Sequence, residues 1–98
     1  MRDILTVTLN PALDIATATD VVRPGGKLRC EAPSVDPGGG GVNVSRAIRF
    51  LGGRSRVAVA TGGATGARLV ELLEAEGLTP EALPIGHPTR QSIAVTER

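Results

Sequence analysis

The stretch DPGGGGVNVSRAIRFLGG, residues 36–53, limits what this chain can fold into more than any other. Gly38 to Gly41 run straight into Asn43. From Val42 to Leu51 the apolar residues Val44, Ala47, Ile48 and Leu51 then recur as one face of a helix. Gly52-Gly53 supplies the stop expected just past a helix C-terminus. So much glycine at the mouth of a helix is entropically unfavourable, and something must offset it. Either the glycines serve only chain reversal and tight packing, or they form a bare backbone floor under a ligand. Glycine-rich helix starts are common, so the residues alone leave both open.

The rest of the chain places that helix in an α/β context. Ile4 to Leu9 reads as a short buried strand bounded by Asn10-Pro11. Ala16 to Val22 and Lys27 to Val35 are weaker strands around the turn signal Arg23-Pro24-Gly25-Gly26, predicting a more exposed hairpin. Arg56 to Ala60 is a second buried strand, and Gly62 to Gly66 reads as a loop. Ala67 to Glu76 is a second helix, with Leu69, Val70, Leu72 and Leu73 inward. Leu83 to Ile85 and Ser92 to Thr96 are short strands. Strands alternating with helices imply a parallel sheet flanked by helices. Residues 91–98 alternate like a strand and then stop without a turn or cap, the pattern of an N-terminal piece of a longer protein.

Composition removes several functions. Across 98 residues the net charge is +1 and Phe50 is the only aromatic. No stacking platform for bases and no basic tail exist, so nucleic acid is not the expected partner. No apolar stretch is long enough to span a bilayer, and the first residues enter a strand pattern without the apolar core of a signal peptide. The single cysteine, Cys30, cannot form an internal disulfide; it reads as a small buried or half-buried residue in a reduced, cytoplasmic setting. His87 reads as a solvated loop residue, Glu71, Glu74 and Glu76 as the wet face of a helix, and Arg46 and Arg49 as the exposed side of the glycine helix. No spacing suits a metal.

Two phosphate motifs fail. The only Gly-Lys pair, Gly26-Lys27, is followed by Leu28 and has no glycine five residues before Gly26, so it is not a P-loop. The glycine run lies about two dozen residues beyond the first strand, and its six residues from Gly38 end in Asn43, so it is not the dinucleotide fingerprint. What remains is a helix N-terminus with free N–H groups and a positive dipole end. Gly38, Gly39 and Gly40 would give close backbone approach, and the Asn43 amide would both donate and accept, which suits a polyol. Asp14, after the first strand, lies where ligands of open α/β sheets bind, and its carboxylate can accept from two sugar hydroxyls. Arg90 offers a bidentate fork for a phosphate, and Lys27, the only lysine, a point charge. Each also has an ordinary reading: an Asx-turn for Asp14, a surface cation for Arg90 and Lys27.

Asn10-Pro11-Ala12-Leu13-Asp14 after ILTVT, then GGKLRCEAPSVDPGGGGVNVSRAIRFLGG, ATGGATGARLVELLEAEG and TRQSIAVTE resemble the N-terminal third of a PfkB, or ribokinase-like, carbohydrate kinase. The resemblance implies a ribokinase-like α/β fold with a small β-sheet lid. The core would be about 1–15 and 36–86, and the lid strands about 16–35 and 88–98. It implies a phosphorylated ketohexose as substrate. GKLRC leans towards the branch acting on fructose 6-phosphate; fructose 1-phosphate, tagatose 6-phosphate and a non-catalytic sugar-phosphate-binding fragment are the alternatives. It further implies that Gly38 to Gly41 with Asn43 form the sugar floor, that Asp14 holds sugar hydroxyls, and that Arg90 and Lys27 lie near the sugar's phosphate. Lys27 would act across a homodimer formed through the lid. The family's catalytic Gly-Ala-Gly-Asp and the residues for ATP and Mg²⁺ are expected downstream, so no catalytic residue is assigned within residues 1–98.

Overall fold

A computed structural model describes residues 3–98; Met1 and Arg2, at the start of the expected core, lie outside the described residues. Eight elements follow in chain order: β1 (Leu5–Thr8), β2 (Ala12–Thr19), β3 (Ser34–Gly38), α1 (Gly40–Phe50), β4 (Arg56–Thr61), α2 (Gly63–Ala75), β5 (Thr79–Pro84) and β6 (Arg90–Glu97). They form two sheets. The first is parallel, ordered β1-β4-β5, and the second is ordered β3-β2-β6.

The first sheet grows outward one strand at a time in sequence order, so right-handed crossovers put both helices on the same face. Val57 and Val59 of β4 point towards them and pack with Val42 of α1, Leu69 and Leu73 of α2, and Leu78 just beyond α2, all buried. Leu13 of β2 joins this core, with Val35 of β3 packed against it. The base of the second sheet is thereby anchored to the first. Truncating Leu69 or Leu73 would cost about 2–5 kcal/mol, the usual scale for a buried leucine.

Several elements differ from the sequence expectation. The hairpin exists, but its strands pair Ala12 with Gly38 through Ala16 with Ser34, further towards the core than expected. Asp14 therefore lies inside β2 rather than in a loop, and Gly38 ends β3. Residues 27–33 form no strand, although Glu31 N–H bonds the Ala18 carbonyl at 2.9 Å and Thr19 Oγ1 donates to the Arg29 carbonyl at 3.0 Å. Pro24, Gly25 and Gly26 just before it, with positive φ at both glycines, turn the chain away from a regular ladder. The α2 helix begins at Gly63 and absorbs the expected loop, because Gly66 comes close to Thr61 and Thr89, where a Cβ would meet Thr89 Oγ1 at 2.9 Å. β5 starts at Thr79, four residues earlier than expected.

The face of α1 also departs. Val44, Ala47 and Leu51 are exposed, Leu51 to 83%. The buried face is instead Val42 and Ser45. Small residues let the helix settle onto β1: Ser45 Oγ lies 2.7 Å from Thr6 Oγ1 and accepts from Ser55 Oγ at 2.8 Å. A hydroxyl cluster thus fills what hydrophobic periodicity alone assigned to aliphatic packing. Cys30 is exposed, not buried.

Candidate functional site

The carboxyl end of β1 meets the start of α1, and there the glycine run finds its explanation. Gly39 is the N-cap with φ 145°, a conformation that disfavours any other residue, and its Cα faces the Thr8 methyl. A Cβ on Gly41 would stand 2.6 Å from Thr8 Oγ1 and 2.8 Å from the Val7 carbonyl oxygen. A Cβ on Gly38 would collide with the Asp14 carboxylate. Gly40 differs: it has no positive φ, and nothing lies within 4 Å of its absent Cβ. Packing accounts for three of these glycines, and the fourth faces open space.

Val42 N–H donates to Thr8 Oγ1 at 3.2 Å, and Asn43 N–H makes the first intrahelical bond, to the Gly39 carbonyl at 2.9 Å. The Gly40 and Gly41 amides precede that bond and find no acceptor among the described residues. They are the free donors at the positive end of α1.

Asp14 approaches the same point from the second sheet. Its partners across the ladders are Asp36 on β3 and Ser92 on β6, and Arg90 pairs with Ala12. Side-chain alternation puts Ala12, Asp14, Asp36, Gly38, Arg90 and Ser92 on one face. Asp14 is exposed there, beside the entry to the glycine run. Arg90 Nε and Nη2 both donate to the Asn10 carbonyl at 3.3 Å, which holds the guanidinium over the β1–β2 loop; Nη1 makes no bond among the described residues. Its strand is fixed from below by buried Thr89, whose Oγ1 accepts from Gly62 N–H at 3.0 Å and whose carbonyl accepts from Thr65 Oγ1 at 2.7 Å.

Asn43 is exposed in the first turn of α1, and its Oδ1 accepts from Arg46 Nη1 at 3.0 Å. A guanidinium has no acceptor, so the oxygen must face it. That leaves Nδ2 available to donate towards a ligand, while the second lone pair of Oδ1 can still accept. Arg46 is half-buried and bonded, not part of a solvated helix face, and neither is its partner Glu76.

The structure therefore brings together Asp14, Gly38, Gly39, Gly40, Asn43 and Arg90. It does not bring Lys27. Lys27 lies with Thr19, Asp20 and Arg23 at the far end of β2, about 17 Å along the strand from Asp14. Sequence reading missed Thr8, Arg46 and Asp36. The Asn43–Arg46 spacing of one helical turn was the available signal for Arg46; nothing local marks Thr8. Among the described residues there is no group of three or more His, Cys, Asp or Glu that could hold a metal ion. No described helix is long and apolar enough to cross a membrane.

Residues 3–98 thus form an α/β unit with an exposed second sheet and an amide-lined glycine turn at a strand's carboxyl end. The family model described as pfkB family carbohydrate kinase matches residues 7–98, and the chain belongs to that family. It is 51% identical over 94 residues to the ATP-dependent 6-phosphofructokinase isozyme 2 of Mycobacterium tuberculosis, covering 96% of this chain and 28% of that protein. Phosphofructokinase-2 from Escherichia coli, solved in complex with fructose-6-phosphate, superimposes with TM-score 0.89 and 48% identity over 97% of this chain and 31% of its own. A tetrameric inhibited form of that enzyme matches with the same TM-score of 0.89. The ribokinase-like fold with a parallel sheet and flanking helices is thereby shown. The chain spans less than a third of the length of these relatives.

Proposed function

We propose that this chain is the acceptor-sugar part of an ATP-dependent 6-phosphofructokinase, which phosphorylates fructose 6-phosphate to fructose 1,6-bisphosphate in the cytoplasm. The observation that carries the reading is the convergence at one point of two free amides, the outward Asn43 Nδ2 and the Asp14 carboxylate. Hydroxyls need donors and acceptors together, and this set supplies both. Asp14 orients two adjacent hydroxyls, and the Gly40 and Gly41 amides with Asn43 support the sugar from below. Arg90, whose Nη1 makes no bond among the described residues, faces the phosphate. Residues 12–19, 34–38 and 90–97 form the lid. Similarity to enzymes named for 6-phosphofructokinase activity supports this substrate over fructose 1-phosphate or tagatose 6-phosphate.

ATP and Mg²⁺ would be held by residues downstream of Arg98. When bound they supply the phosphoryl group and neutralise its charge. Residues 3–98 then only position the acceptor, and we expect the 98-residue chain by itself to have no kinase activity. Half-exposed Leu5, Val7 and Leu83, on the sheet face away from the helices, are the surface a downstream segment would cover.

The lid also carries an apolar stripe, with Ile93 exposed to 64% and Val95 to 43% on the face opposite Asp14. A second copy packed there would bring Lys27 towards the partner's sugar phosphate and explain its distance from the site in one chain. The full-length enzyme with ATP and each of the three ketohexose phosphates tests the substrate. Preferred turnover of fructose 6-phosphate supports the reading; preference for either other sugar contradicts it. Restoration of activity on mixing Lys27→Ala with Asp14→Ala subunits supports the shared site, and no restoration contradicts it.

A further inference from the structure

We propose that Arg46 is a positioning residue that staples the two ends of the glycine floor and fixes Asn43 as a hydrogen-bond donor to substrate. Arg46 lies one turn beyond Asn43 on α1. Its Nη2 donates to the Pro37 carbonyl at 3.0 Å, just before Gly38, and its Nη1 donates to Asn43 Oδ1 at 3.0 Å, just after Gly41. One planar group thus spans the whole run of glycines. The guanidinium is itself anchored: Nε donates to Glu76 Oε2 at 2.7 Å and Nη2 to Glu76 Oε1 at 2.8 Å, a bidentate pair with the C-cap of α2.

Glycines lose more backbone entropy on ordering than any other residue, and a floor made of them needs an external constraint to hold one geometry. The side chains at Gly38–Gly41 cannot supply it. Arg46 does so from outside, through three acceptors in one plane. Lysine, a point charge on a flexible stem, cannot reach all three together. The hydrogen bond from Arg46 holds the Glu76 carboxyl below its ordinary range, which favours the ionised form of the anchor. Coulombic attraction from Asp36 and Asp14 also reaches Arg46, a second tie between the staple and the sugar-facing strand.

The proposal rests on the sugar-floor reading, and its test separates the two. In the full-length enzyme, Arg46→Lys should raise the KM for fructose 6-phosphate about tenfold, leaving the KM for ATP unchanged and kcat within about threefold. On an Asn43→Ala background the same change should add much less, because part of its effect passes through Asn43. Asn43→Asp keeps the oxygen facing Arg46 but loses the outward N–H, and should raise the sugar KM as much as Asn43→Ala. If Arg46→Lys fails to fold, Glu76→Gln carries the test, with the same sugar-specific pattern and a smaller shift. Full additivity with Asn43→Ala, equal effects on both substrates, or loss of melting temperature alone would overturn the staple. If Asp14→Ala and Asn43→Ala leave the sugar KM untouched, the floor reading itself fails, a different outcome.

Discussion

Replacing each glycine of the floor by alanine separates packing from binding. At Gly40 a methyl meets nothing within 4 Å, the backbone has no positive φ, and the residue sits at the first position of α1. Alanine there loses less entropy on folding, worth up to about 1 kcal/mol of added stability and less at a helix end. Gly41 is the contrast. Its added methyl would stand 2.6 Å from Thr8 Oγ1 and 2.8 Å from the Val7 carbonyl, so the helix must lift from β1. Overpacking of that kind costs about 1–3 kcal/mol. Binding should run the other way. A methyl on Gly40 rises into the space assigned to the sugar and blocks its approach to two amides, a loss of about 1–3 kcal/mol, or roughly 5- to 150-fold in kcat/KM. Thermal melting and steady-state kinetics of the full-length enzyme read both. We expect Gly40→Ala to melt at or above the parent temperature with a raised KM for fructose 6-phosphate, and Gly41→Ala to melt several degrees lower. A Gly40→Ala enzyme with parental sugar KM would refute the assignment of that space to ligand.

Three further outcomes follow from particular bonds. Asp14→Ala should lower kcat/KM for fructose 6-phosphate by about 10- to 100-fold, the scale of a lost charged hydrogen bond, with the ATP KM unchanged in the same kinetic assay. Thr89→Val keeps the volume but leaves Gly62 N–H without its 3.0 Å partner, and should destabilise by about 1–2 kcal/mol on denaturant unfolding. The Arg46 bond lowers the Glu76 carboxyl relative to the unfolded chain, so its contribution is full above the ordinary glutamate value of about 4.3 and is lost as pH falls through the lower native value. A pH series of melts should therefore show a shallower acid loss in Glu76→Gln; identical acid slopes would exclude the linkage.

The motif residues were readable because they follow chain-local rules. A glycine run, an Asn in the first turn and an Asp after a strand are each short-range signals, and the alternation of strands and helices gave the sheet its parallel sense. What could not be read depends on partners distant in sequence. Aliphatic periodicity points to one α1 face, but the helix packs through Gly41, Val42 and Ser45, because Thr6 and Thr8 of β1 offer hydroxyls at close range. Asn10-Pro11 reads as a break and implies a loop at Asp14; pairing with β3 and β6 extends the strand back to Ala12. Arg46 looked like a surface cation because its partners, Pro37 and Glu76, lie 9 and 30 residues away.

Occupancy of the floor is the most direct test. A crystal structure of the full-length enzyme with fructose 6-phosphate should show sugar hydroxyls on the Asp14 carboxylate, the Gly40 amide within hydrogen-bond reach and Asn43 Nδ2 donating to the sugar. A sugar bound elsewhere, with those three groups facing bulk water, would contradict the account.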